Sequence, residues 1–258
     1  MKKKLFILLL ALALCLSLCA CSEETEESIP SESIAATQPS ETETASSEST
    51  ELPEVEGQTE PTEEIQLTHV EDVSINIGYG MEISDIGDYT GIYMEDGSDE
   101  LVSGVLMCVV TNTGESTIQF AKFQLLCGEE TADFEISSLP PGQSLVALEK
   151  NRKSYQPDQT YSAVIAEDAA LFADEPNLQE DLVKIQMLDG IINVTNISEE
   201  DITGDVVVYY KNASSDLLYG GITYRVRIEG GIPAGVIRQM PAGHMTDSGT
   251  KILFVTVG

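Results

Sequence analysis

From Ser22 to Gln66 the chain carries fourteen glutamates, no lysine or arginine and no aromatic residue, with Ser, Thr and Pro throughout. Such a stretch cannot bury enough apolar surface to offset the entropy lost on ordering, so folding is confined to the residues beyond Gln66. As a flexible coil it would reach roughly 35–40 Å, and like charges with several prolines extend it further. Over all 258 residues the formal charge is −31, spread as twenty acids against four bases in residues 67–179 and ten against six in residues 180–258. That balance excludes non-specific nucleic-acid binding as a main role, because phosphate contacts need a basic footprint.

Ahead of the acidic tract stand Lys2, Lys3 and Lys4, an apolar run from Leu5 to Leu16, and then small residues. This is the three-part layout of a secretory signal. The run is too short for a bilayer core of ~30 Å, which needs about 20 apolar residues. The segment Leu18-Cys19-Ala20-Cys21 resembles the lipobox of bacterial lipoproteins. The resemblance implies cleavage before Cys21 and a diacylglyceryl group on its thiol, and two acyl chains give stable anchoring. The expected location is the extracytoplasmic face of a Gram-positive-type cell membrane, with that lipid as the only prosthetic group. The tract behind Cys21 then serves as a stalk or simply as a soluble spacer.

After Gln66 the composition changes to short runs rich in Val, Ile, Tyr and Thr, separated by Gly, Asn, Asp and Pro clusters about ten residues apart. That spacing predicts an all-β fold built as a sandwich. Internal similarity adds a repeat. Residues 103–112 align on 203–212, Phe123–Cys127 on Tyr224–Ile228, and Leu139-Pro140-Pro141-Gly142 on Met240-Pro241-Ala242-Gly243. The expected organisation is a signal peptide at 1–20, a disordered tether at 21–66, and two tandem immunoglobulin-like β-sandwich domains at 67–172 and 180–258. Residues 173–179 connect them, and Glu167–Val183 is expected to be short helix or irregular chain. Asn112-Thr113-Gly114 is expected to supply positive φ in a turn. Alternation with period two puts Leu106, Cys108, Val110, Phe123, Leu125 and Cys127 in one core, and Val206, Val208, Tyr210, Tyr224, Val226 and Ile228 in the other. The order "Gly-x-Val, Asn-x-Gly, apolar strand, Leu-Pro-x-Gly" resembles the FxLYD and CARDB-like immunoglobulin-type modules of bacterial envelope lipoproteins.

Chemistry is sparsely supplied. Cys108 and Cys127 both fall on inward faces, which leaves either a disulfide or two free buried thiols. His69 and His244 lie in no nucleophile or zinc motif. Asp96-Gly97-Ser98-Asp99-Glu100 is a turn signal whose carboxylates would also suit calcium, although the spacing of a twelve-residue calcium loop is missing. Arg225 and Arg227 share an outward strand face, and Lys150, Arg152 and Lys153 form the basic cluster of the first half. On so acidic a chain these cations make a candidate binding face for an anionic wall polymer or an envelope protein, the alternative being an ordinary solvated face that discourages edge pairing. The expectation is therefore a non-catalytic surface lipoprotein that binds or helps assemble an envelope partner. A wall-directed hydrolase and a spacer without a partner are the alternatives.

Overall fold

Tyr79 and Gly80 both take positive φ, 54° and 76°. This two-residue turn, whose twist suits a hairpin, folds strand β1 (Gln66–Gly78) back on β2 (Met81–Ile92). The computed structural model describes residues 64–244 and 249–258. The signal segment, Cys21 and the tether as far as residue 63 lie outside the described residues. The tether's last stretch does not stay apart from the fold: Ile65 packs against a core cluster and β1 begins at Gln66.

Eleven more strands complete the fold: β3 (Leu101–Asn112), β4 (Ile118–Cys127), β5 (Glu130–Leu139), β6 (Ser144–Leu148), β7 (Tyr161–Leu171), β8 (Val183–Leu188), β9 (Ile191–Asn196), β10 (Val206–Ser214), β11 (Leu217–Ile228), β12 (Ile237–Pro241) and β13 (Thr250–Val257). The described residues are all-β, without helix. One pairing pattern occurs twice. In the first half β2, β3 and β6 pair antiparallel opposite a sheet of order β5-β4-β7; in the second, β8, β9 and β12 pair in the same order opposite β11-β10-β13.

Each pair of layers encloses a core. Ile83, Cys108 and Val110 meet Phe123, Leu125, Phe134 and Ile136 in the first. Ile192 and Val194 meet Val206, Val208, Tyr224 and Val226 in the second. Burying each such aliphatic or aromatic side chain contributes ~1.5–3 kcal/mol. The twelve expected core positions are buried except Cys127, which is half-buried against the first cluster. A third cluster covers the other face of β2-β3-β6, where Tyr89, Tyr93 and Met94 pack on Val105, Met107, Val109 and Val146.

The strand-pairing order recurs, but in a register that differs from the sequence alignment. Asn112 closes β3 by donating to the Ser116 and Leu139 carbonyls while its Oδ1 accepts from Gly114 N. Asn196, not Asn212, does the same in the second half, donating to Glu200 and Ile232 and accepting from Ser198 N. The counterpart of Pro140-Pro141-Gly142 is Pro233-Ala234-Gly235, each turn held by a Gly N–H to the asparagine carbonyl. Apolar alternation is shared by every strand, so it aligns β3 on β10 as readily as on its true counterpart β9. None of Asn112, Thr113 and Gly114 takes positive φ; the small residue at Gly114 answers instead to the Gly80 turn, where an added Cβ would sit 2.9 Å from Gly114 Cα.

Residues 167–171 also depart from expectation. They complete β7, with Asp168, Ala169 and Ala170 opposite Lys122, Ala121 and Phe120 of β4. Pairing with an existing strand overrides the local preference of Asp-Ala-Ala-Leu. Irregular chain starts at Phe172.

Candidate functional site

The two halves meet through a hairpin extension that only the second possesses. In the first half β4 and β5 close at Cys127 and Glu130. In the second, β10 and β11 continue past the corresponding point, and Tyr210 faces Tyr224 while Asn212 faces Tyr219. Lys211 therefore sits across from a bulge of four residues, 220–223. It is wholly buried, and its ammonium donates to the carbonyls of Gly220, Gly221 and Ile222 at 2.8, 2.8 and 2.5 Å. The bulge needs its glycines: Gly220 has φ 81°, and a Cβ on Gly221 would lie 1.9 Å from the Glu135 carbonyl oxygen.

The extended tip then joins the first half. Leu217, Leu218 and Tyr219 run parallel to Ser144, Leu145 and Val146 of β6. This merges four strands of one half with three of the other into a sheet of order β1-β2-β3-β6-β11-β10-β13. Glu95, in the loop between β2 and β3, fastens the joint: its carboxylate accepts from Leu148 N and Gly221 N, both at 2.8 Å. Ser137 of β5 adds a bond to the Gly221 carbonyl, and the Tyr224 hydroxyl donates to the Met94 carbonyl. Burial pushes the Lys211 ammonium down to about 7, with the Glu95 charge opposing. Burial likewise raises Glu95, against the backbone N–H groups and Lys211 that favour its ionised form.

Counting forward from the two Pro-x-Gly turns places Ser144, Val146 and Leu148 of β6 opposite Ile237, Gln239 and Pro241 of β12 in the repeat. The ladder bonds Asn112 N to Gln143 O and Glu149 N to Leu106 O turn the odd-numbered residues of β6 toward β3. Its even-numbered residues therefore face β11 and Glu95. In β12 the bonds Asn196 N to Val236 O and Ala242 N to Gly190 O turn the even-numbered residues toward β9, leaving Ile237 and Gln239 facing outward. Among the described residues no strand pairs with that edge. The face beside it also differs. Where the first half has buried Val109 and Val146, the second has Asn193 and Gln239, joined at 2.7 Å, with Ile237 56% exposed and Leu188 66% exposed.

The residues singled out from sequence do not form one face. Lys150, Arg152 and Lys153 follow β6, but each is committed: Lys150 to Glu135, Arg152 to Asp96 and Glu100, and Lys153 to Glu130. They surround the buried carboxylate of Glu149, which accepts from the backbone N–H groups of Asp133, Asn151 and Lys153. Arg225 and Arg227 do share the exposed face of β11, with Arg227 paired to Asp205. The acidic turn is likewise engaged within the chain, since Arg152 takes Asp96 and Glu100 and His244 takes Asp99 at 2.8 Å. His69 meets Asp88 at 2.8 Å. Among the described residues no group of three or more His, Cys, Asp or Glu could hold a metal ion. Cys108 and Cys127 are both free in this structure. They belong to different sheets, and Cys127, the last residue of β4, turns its thiol to the Leu125 carbonyl.

Sequence reasoning passed over Glu95, Lys211 and the β12 edge. Two signals were present: a lone lysine directly after the apolar run Val206–Tyr210, and the doublet Gly220-Gly221 inside a strand, which marks a bulge or a close backbone approach. Compared with family models, curated proteins and solved structures, the chain has no match in any of the three.

Proposed function

We propose that the chain is a non-catalytic surface lipoprotein of Gram-positive-type cells. In this reading Cys21 carries the diacylglyceryl anchor, residues 21–66 form the stalk, and two immunoglobulin-like sandwich modules at 67–172 and 180–258 bind or help assemble an envelope partner. The observation that carries it is the parallel joint between β6 and β11. Modules strung on a linker would present independent faces. Modules that share a sheet, with Lys211 buried and Glu95 half-buried in the joint, keep a fixed mutual orientation, which is what a two-module binding arm requires. A bare spacer gains nothing from such precision.

The test is chemical crosslinking on intact cells expressing the wild type or Cys21→Ala, with purification and mass spectrometry at low and high salt. The expected result is one envelope protein enriched with the anchored form and lost with the soluble one. An anchored chain that enriches neither protein nor polymer would leave the spacer reading, and equal membrane retention of both forms would overturn the anchor.

A further inference from the structure

We infer that the open edge of β12 is a strand-addition site for a short extended segment of a partner protein, laid parallel to β12 at Ile237–Gln239. This rests on the proposed binding role and specifies where and how binding occurs.

The chain contains its own precedent. β6, the repeat counterpart of β12, receives three residues of the β11 tip in parallel, at Ser144, Leu145 and Val146. Shifted along the repeat, those positions are Ile237, Arg238 and Gln239. The edge N–H and C=O groups of Ile237 and Gln239 thus stand where those of Ser144 and Val146 stand, without a partner strand among the described residues. Unpaired edge groups of this kind are a template for another backbone.

The end of the site is also defined. In the first half the edge continues to Leu148, whose N–H needs the Glu95 carboxylate. At the corresponding place the second half has Pro241, which has no N–H to satisfy. The partner therefore needs only about three residues of extended chain and no carboxylate equivalent to Glu95. A second copy of this chain cannot supply the strand in the same way, because its Leu217–Tyr219 tip is already held on its own β6 by the Lys211 bulge and Glu95.

Side chains narrow the partner further. Arg238 is exposed at this edge and makes no ion pair among the described residues, unlike the cations of the Lys150–Lys153 turn. Exposed Val236 and Ile237 precede it. The fitting segment is one with an apolar residue against Ile237 and an acidic residue beside Arg238. A wall polymer could meet Arg238, but it has no peptide ladder to offer the edge.

A photo-crosslinking amino acid placed at Ile237, and separately at Tyr79 on the remote β1–β2 turn, tests this on intact cells carrying the full anchored chain. The expected result is a protein adduct from position 237 and none from 79, with the adduct mapping to an extended segment of the partner. In the reconstituted pair, amide exchange at Ile237 and Gln239 should slow by roughly two- to tenfold, the change that one backbone hydrogen bond's worth of net stabilisation produces. Gln239→Pro, checked for an unchanged melt, should cut the adduct by a similar factor. The melt guards against misfolding, and the exchange readout in the wild type is independent of any variant. A partner that binds without slowing exchange at 237 and 239, an adduct to a second copy of the chain, an adduct to polymer, or no adduct would each overturn the site. A partner found elsewhere on the surface would overturn it while leaving the broader binding role standing.

Discussion

Asn112 and Asn196 make the same three side-chain hydrogen bonds at corresponding corners of the two halves, each amide spanning from the end of one sheet to two carbonyls of the chain that enters and leaves the other. Both are fully buried. An asparagine is suited to the place because it offers two donors and an acceptor in one plane. The next turn in each half returns to the same residue, with Gly142 and Gly235 donating to the two asparagine carbonyls. One side chain thus fixes where β3 and β9 stop and where β6 and β12 begin.

Replacing either asparagine by alanine should therefore be costly. Two carbonyls lose their donor in a dry place, at about 1–3 kcal/mol each before relaxation. We expect Asn112→Ala and Asn196→Ala each to lose about 2–4 kcal/mol in urea unfolding of residues 22–258. Asn→Asp should be no better, since a carboxylate cannot donate to Leu139 or Ile232. A loss below about 0.5 kcal/mol, the range of ordinary surface substitutions, would show that the corners are not set by these amides.

The joint between halves depends on the absence of a side chain at Gly221. Its Cβ would collide with the Glu135 carbonyl oxygen at 1.9 Å, and the Glu95 carboxylate is 2.8 Å away. Gly221→Ala should cost about 3 kcal/mol or more and separate the halves, so that a single unfolding transition becomes two. Gly243→Ala, where a Cβ meets nothing within 4 Å, serves as the control and should stay within about 0.5 kcal/mol.

Much of the fold was legible because period-two alternation fixes faces without fixing partners. Val206, Val208 and Tyr210 point into a core whichever strand lies alongside. Partners were harder to read. Ser103–Asn112 and Thr203–Asn212 look alike as strands, while the feature that distinguishes the true repeat, an asparagine amide reaching two carbonyls, involves residues far apart in sequence. The candidate site was less legible still. A parallel edge joint such as β6 on β11 leaves no periodic signature, and Lys211 is understood only once Gly220, Gly221 and Glu95 are brought to it. The cations of the Lys150–Lys153 cluster are each paired with an acid distant in sequence, Glu135 and Glu130 of β5 and Glu100 of the loop before β3, pairings that no local pattern announces.

Thiol reactivity gives a direct check on the core. Burial raises both Cys108 and Cys127, which lowers the thiolate fraction at neutral pH. Cys108 is enclosed in the first core, while Cys127 borders a hollow of about 590 Å³ lined also by Glu129, Lys153, Gln159 and Tyr161. In residues 22–258 at about pH 7.5, a thiol reagent should label Cys127 slowly and Cys108 only once urea unfolds the chain. Failure to label either thiol in urea without a reductant would indicate a disulfide, contrary to the free thiols described.

The buried lysine should leave its mark on stability against pH. Lys211 falls from its ordinary 10.5 to about 7 in the folded chain because burial disfavours the ammonium. Between those values the unfolded chain binds the additional proton, so stability rises with pH from about 7 toward 10.5. Glu95 acts in the other direction at lower pH: its raised carboxyl stabilises the fold below its ordinary 4.5, and that contribution is lost as pH rises through the folded value. Tyr89 and Tyr224, raised chiefly by burial, withdraw stability above about pH 10, where the unfolded chain ionises first. The window to read is therefore about pH 7 to 9. The wild type should gain stability across it in urea titrations, and Lys211→Met should be nearly flat. A wild type that is itself flat there would mean that the three carbonyls of the bulge hold the ammonium near its ordinary value, and that burial does not dominate at the joint.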